Sequence, residues 1–312
     1  MEYIIPFIGL IMHIDKILAS FDGAFAENTL RAYRSDFTHY KKWCASHDWP
    51  PMPAKADRLA LYIEEMSTKY KSATIRRRFS SLSSLFYLTK SPNPVNEPEV
   101  TLAMKRMHRQ IGRAQKQASP LTMKYLVQMK RKCDNSNRGM RDKVLLQLGY
   151  ETMRRRSEIC AFKFEDLERM PNGKYSLLLR QSKTDQYAQG RLIPISDTLA
   201  KLIIKWQSKV GANQGPILRS IRKDGAVGEP LSSASICNIL VDLQYRSRLR
   251  HLPNFSGHSF RVGAALDLLE RGVPLEKIML RGGWGAKSTA LKYLASWVGA
   301  DLGEYIGESI VN

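Results

Sequence analysis

The chain has 312 residues, with 49 Lys and Arg against 29 Asp and Glu, a formal net charge of +20. Hydrophobic residues make up 43% of it and aromatics 9%, which excludes a disordered chain and suits two domains, each with its own core. So large a charge points to a polyanionic partner, nucleic acid before membrane, because no single helix sets its positive charge opposite a strongly apolar face.

The apolar start from Tyr3 to Ile14 is interrupted by Pro6, Gly9 and His13. It is shorter than the roughly 20 residues that cross a bilayer. No basic residue precedes it and no small-residue cleavage site follows, so it does not read as a signal peptide. Residues 1–25 are expected to be an apolar extension: an ordered arm, a protein contact or translation from an upstream start. The protein is expected to be cytoplasmic and DNA-associated, without a membrane span. Cys44, Cys133, Cys160 and Cys237 lie far apart with no zinc-ligand spacing, so they read as reduced and mostly buried thiols, with no metal or other cofactor.

Leu30, Tyr33, Phe37, Tyr40 and Cys44 recur at spacings of three and four, which predicts a helix over 28–47 capped by Asn28. The Trp49 to Pro53 run ends it. Asp57 is the expected cap of a second helix bearing Leu59, Tyr62, Ile63, Met66 and Tyr70. A third carries Ile75, Phe79, Leu82 and Phe86, with Arg76, Arg77 and Arg78 on its flank. After the Ser91 to Pro94 turn, Val100, Met104, Met107 and Ile111 trace a fourth, lined on its other side by Lys105, Arg106, Arg109 and Arg113. These helices make a first all-α domain, residues 1–116, with the boundary near Gln117. In it Arg76, Arg77, Arg78, Lys105 and Arg106 are the candidate DNA contacts.

The second domain, 117–312, is expected to be mainly α with a small β insert. Helices are predicted at 122–133, 141–150, 199–210, 232–248, 260–271, 275–280 and 288–297. The β-prone segments Tyr175 to Arg180 and Arg191 to Ile195 make a hairpin or three-stranded sheet, with Lys183 in the connection.

A phosphodiester broken without metal needs cations on its non-bridging oxygens, a nucleophile, and an acid for the departing oxygen. Arg155, Lys183, His258, Arg261, Trp284 and Tyr293 can supply all three. The segments that hold them, Thr152 to Glu158, Ser182-Lys183-Thr184, Ser256 to Ala265, Gly282-Gly283-Trp284 and Tyr293, occur in an order that resembles the tyrosine recombinase (phage integrase) family, its Cre-like members above all. His258 and Arg261 stand three apart on one helical face, Trp284 follows 23 residues after Arg261, and Tyr293 nine after Trp284.

The resemblance implies a DNA-clamping helical domain followed by an α+β catalytic domain. It also implies a site for each residue. Arg155 and Arg261 would fork onto the scissile phosphate, as Lys cannot. Tyr293 would attack phosphorus, His258 would take its proton, Lys183 would protonate the leaving 5′ oxygen, and Trp284 would donate its indole N–H where many relatives use His. Glu158 would support the site. Within Arg154-Arg155-Arg156 the register from Ser157-Glu158 selects Arg155, and the charged neighbours, where relatives usually carry an apolar residue, would touch DNA backbone or acidic side chains. The implied partners are double-stranded DNA with inverted repeats and three further copies of the chain. The apolar set Trp297, Val298, Leu302, Tyr305 and Ile306 would dock into a neighbouring copy rather than onto its own domain. A type IB topoisomerase, or an architectural DNA-binding protein with a vestigial site, remains the alternative.

Overall fold

The computed structural model describes residues 14–114, 117–182, 190–291 and 294. The chain divides into two compact units, Met1–Lys116 and Gln117–Asn312.

In the first unit the described α-helices are α1 (Ile14–Ala19), α2 (Glu27–Ala45), α3 (Ala56–Ser67), α4 (Ser72–Leu88) and α5 (Pro98–Ile111). The apolar stripes meet in one core around Tyr40, Leu59, Tyr62, Ile63, Ile75, Leu82 and Phe86. Leu18 is buried in it and Phe21 and Phe25 pack against it, so the stretch 17–25 belongs to this core. Residues 1–13 lie outside the described residues.

Several expected caps are displaced. The residue before α2 is Ala26, not Asn28, and the one before α3 is Lys55, not Asp57; neither gives a side-chain cap. Tyr70 falls beyond α3, where its ring lies under the Arg78 guanidinium, and on α5 Ala103 joins Val100 and Met107 in the core while Ile111 faces out.

The second unit holds α6 (Met123–Lys130), α7 (Asn137–Thr152), α8 (Arg156–Ala161), an antiparallel sheet of β1 (Leu167–Arg169), β2 (Tyr175–Leu179) and β3 (Arg191–Ile195), then α9 (Asp197–Val210), the hairpin β4 (Arg219–Ile221) and β5 (Val227–Pro230), α10 (Ser235–Arg246), α11 (Gly257–Glu270) and α12 (Leu275–Gly282). Alternation sends Leu177, Leu179, Ile193 and Ile195 inward, in the register Leu177 opposite Ile193. Of the expected hairpin or three-stranded sheet, the structure has the three-stranded sheet, with the short strand β1 on the other edge of β2.

Helices α7 and α11 are buried around most of their circumference, with Val144, Leu145, Leu146 and Leu148 on one and Phe260 to Leu266 on the other. The Phe260 ring lies where a side chain on Gly149 would stand, 2.7 Å from that Cβ position. Helices this enclosed cannot shift without disturbing the whole core, so what projects from their ends is held firmly. Cys44 and Cys133 are buried, Cys160 and Cys237 half-buried, and all four are free. Among the described residues no helix is long and apolar enough to cross a membrane.

Candidate active site

Helix α7 ends with Met153 in the left-handed region, φ 52°. That conformation is costly for a residue with a side chain, and it takes the chain out of α7 ahead of Arg155, which is extended (φ −68°, ψ 151°) where it leads into α8. Arg155 stands just before α8. Glu158, buried in the first turn, accepts the Arg155 backbone N–H at 3.2 Å and its guanidinium at 2.8 Å. The carboxylate therefore fixes both ends of the residue that leads the helix, and Arg155 keeps part of its side chain at the surface.

His258 lies in the first turn of α11 and Arg261 one turn further on, so both project from the same helix face. Helix start and Ser256 are joined by the Ser256 N–H donating to the Ser259 hydroxyl at 2.9 Å. A Cβ on Gly257 would fall 2.8 Å from the Arg156 Cβ, so only a residue without a side chain lets α11 begin this close to α8. That approach brings Arg155 and His258 into one neighbourhood.

The His258 pKa is pushed below 6.5, first by desolvation of the ring, then by the guanidiniums of Arg261, Arg155 and Arg156. The positive end of the helix acts in the same sense. A neutral imidazole at physiological pH can accept a proton.

Arg261 is 5% exposed and its guanidinium carbon sits 4.8 Å from the centroid of the Trp284 ring. Trp284 follows α12 through Gly283, whose φ of +67° ends that helix, and its own N–H returns to the Met279 carbonyl at 3.1 Å. Arg155, Glu158, His258, Arg261 and Trp284 thus gather from α8, α11 and the end of α12. Lys183 and Tyr293 lie outside the described residues, as do Trp297, Val298, Leu302, Tyr305 and Ile306.

Arg154 and Arg156 part company. Arg154 is 2% exposed, with its Nε donating to the Thr152 carbonyl at 2.9 Å. It is therefore turned inward to main-chain carbonyls, rather than toward DNA or an acidic side chain. Arg156 is exposed, with its Nη1 3.8 Å from the Cys237 sulfur.

The basic flank of α4 also divides. Arg76 and Arg77 are exposed, though Arg77 pairs with Asp36. Arg78 is an interior residue, which corrects its expected place among the DNA contacts: it is 8% exposed, its guanidinium lies 4.1 Å over the Tyr70 ring, and its Nη1 stands 2.9 Å from His39 Nε2. The cause is Asp36, a buried carboxylate on the apolar side of α2, which needs a cation nearby. The signal was in the sequence, since Asp36 sits beside Phe37 and three residues from Tyr33 on the α2 stripe. Lys105 is exposed; Arg106 is exposed and reaches Glu64 at 3.3 Å. Among the described residues no group of three His, Cys, Asp or Glu side chains could hold a metal ion.

Two family models match this chain: the phage integrase family over residues 119–298 and the phage integrase N-terminal SAM-like domain over 20–91. An integrase/recombinase XerD homolog of Selenomonas ruminantium is 30% identical over 81% of this chain and 77% of its own length. The recombinase Cre of Escherichia phage P1 is 26% identical over 87% of this chain and 84% of its own. The likeness therefore extends to Xer-type relatives as well as to Cre. Among solved structures, XerH recombinase bound to a palindromic difH substrate superposes with a TM-score of 0.65 at 14% identity over 96% of both chains. A lambda integrase dimer bound to a core site gives 0.60 at 19% identity over 89% of this chain and 91% of that one.

Proposed function

The chain belongs to the phage integrase family of tyrosine recombinases, enzymes that cut and rejoin DNA strands, and we propose that it recombines DNA at paired inverted-repeat sites through Tyr293, as a tetramer on DNA. The observation that carries this reading is the meeting of Arg155, His258, Arg261 and Trp284 around the start of α11. Two forked cations, a neutral imidazole and an indole N–H suit a phosphodiester in the act of exchanging one oxygen for another.

In the forward step the Tyr293 phenolic oxygen attacks phosphorus and its proton passes to His258. The bond from phosphorus to the 5′ oxygen breaks, and Lys183 gives that oxygen a proton. The products are a 3′-phosphotyrosine and a free 5′ hydroxyl. Attack by the 5′ hydroxyl of a second duplex reverses the step, so no phosphate-bond energy is lost and none need be supplied. Arg155 and Arg261 neutralise the non-bridging oxygens, and Glu158 keeps Arg155 aimed. The first unit would complete the grip on the duplex, with Arg76, Arg77, Lys105 and Arg106 as phosphate contacts, and the segment after Tyr293 would join neighbouring copies.

The test uses duplexes enriched from a random library by binding to the full chain, then nicked so that cleavage cannot reverse. Wild-type protein is expected to form a denaturant-resistant adduct and Tyr293→Phe none, while DNA binding stays within a few-fold. Binding without any adduct would leave an architectural protein instead. Relaxation of plasmids of any sequence, with no exchange between sites, would favour the topoisomerase reading.

A further inference from the structure

The last carbonyls of a helix have no donors within the helix. Those of α12 are met from two other elements. Arg191, at the start of β3, donates Nη2 to the Leu280 carbonyl at 2.9 Å, and Arg154 donates Nη2 to the Arg281 carbonyl. Arg281 reaches back, giving Nε and Nη2 to the Glu151 carbonyl at 2.9 and 2.6 Å and Nη1 to Pro194 at 2.6 Å. The end of α12 is thereby tied both to the turn that presents Arg155 and to the strand that follows the Lys183 connection.

Arg154 is the inner member of this set. Its guanidinium fills the space beside Gly283, where a Cβ would come 2.7 Å from Nη1, and Trp284 is the next residue. Burial lowers its pKa to about 10; Arg261, Arg191 and Arg281 press the same way and Glu158 opposes them. It stays charged at neutral pH, among other cations and almost out of water. An unbranched apolar side chain could occupy the space without that desolvation penalty. What it could not do is donate to Thr152 and Arg281 at once.

We propose that Arg154 is a positioning residue: by clamping the end of α12 to the Thr152–Arg155 turn, it sets where Trp284 stands relative to Arg261 and Arg155. This rests on the recombinase reading given above, and it adds a residue that never meets the phosphate. The clamp works from behind the site, through two carbonyls and one glycine.

The experiment compares wild type, Arg154→Met and Gly283→Ala in the full chain, on the nicked enriched duplex. Met removes the donors and the charge, whereas Ala leaves the guanidinium intact and crowds it. Both are expected to slow adduct formation at saturating protein, by roughly a hundredfold if Trp284 moves by about 1 Å. The half-saturating DNA concentration should change by no more than about threefold, because the lost interaction acts on the transition state. The indole N–H resonance of Trp284, assigned by its loss in Trp284→Phe, should shift in both variants. That of Trp206, which donates to the Ile217 carbonyl at 2.8 Å in the core, should stay.

Wild-type rates with an unmoved Trp284 resonance would overturn the proposal. So would binding and cleavage falling in parallel, which marks a general defect. If Arg154→Met does not fold, Arg154→Gln, which keeps a polar side chain but cannot reach both carbonyls as the guanidinium does, decides by the same readouts, since Gly283→Ala also strains the left-handed backbone at that position. If wild type itself forms no adduct, the recombinase reading fails, while the Trp284 resonance still tests the clamp.

Discussion

The guanidinium carbon of Arg261 stands 4.8 Å from the centre of the Trp284 indole, and both side chains are almost wholly buried. The ring faces the cation from one side, a contact that a planar guanidinium makes well. Arg261→Lys keeps a positive charge but can neither stack nor fork. Its adduct-forming rate on a nicked site should fall by roughly two to three orders of magnitude, measured at saturating protein. A loss under tenfold would show that charge alone is what the phosphate needs.

His258 gives a pH signature. Its folded pKa lies below the ordinary 6.5, so between those two values the unfolded chain binds more protons than the folded one. The stability this group contributes is present above pH 6.5 and is lost as pH falls through that interval. The same depression keeps the imidazole a base to lower pH. The second-order rate of adduct formation, which reports the free enzyme, should show an acid limb centred below pH 6.5. An acid limb centred above 6.5, or one that persists in His258→Gln, would assign the proton to another group.

Lys183 is expected to act only on the leaving oxygen. Lys183→Ala should cut ordinary DNA slowly, yet recover when the scissile 5′ oxygen is replaced by sulfur, a leaving group that needs no acid. Quenched adduct gels on the two substrates give the comparison. Equal losses on both would move the lysine to binding or to phosphate neutralisation.

Asp36 anchors the first unit. It pairs with Arg77, accepts the Ser81 hydroxyl at 2.7 Å and has the Arg78 Nε at 3.8 Å. Asp36→Ala leaves Arg78 buried beside His39 with no carboxylate, a change worth roughly 3 kcal/mol. Chemical denaturation of the full chain should show the loss. Asp36→Ala together with Arg78→Met should recover part of it, since no orphaned charge then remains.

Much of the molecule is legible in the amino-acid order, for a physical reason. Spacings of three and four fix which face of a helix is apolar, and β2 and β3 announce themselves as short apolar runs, with β-branched Ile193 and Ile195 in the second, on either side of a Gly-containing connection. The ordered Arg, Lys, His, Arg, Trp and Tyr set is also a one-dimensional signal, and the family it resembles is the one whose models match the chain. Helix ends were less legible: Ala26 and Lys55 precede α2 and α3 without a side-chain cap, so nothing local marks those starts.

What only the tertiary structure decided is the use of each arginine. Arg76, Arg77 and Arg78 are one basic run in sequence, yet a buried carboxylate 42 positions before Arg78 turns that one inward. Arg154, Arg155 and Arg156 likewise differ only in what faces them: main-chain carbonyls, Glu158, and the surface near Cys237. A guanidinium carries the same charge and the same donors wherever it stands. Its role is set by its partners, and for Arg78 and Arg154 these include Asp36 and the Arg281 carbonyl, both distant along the chain.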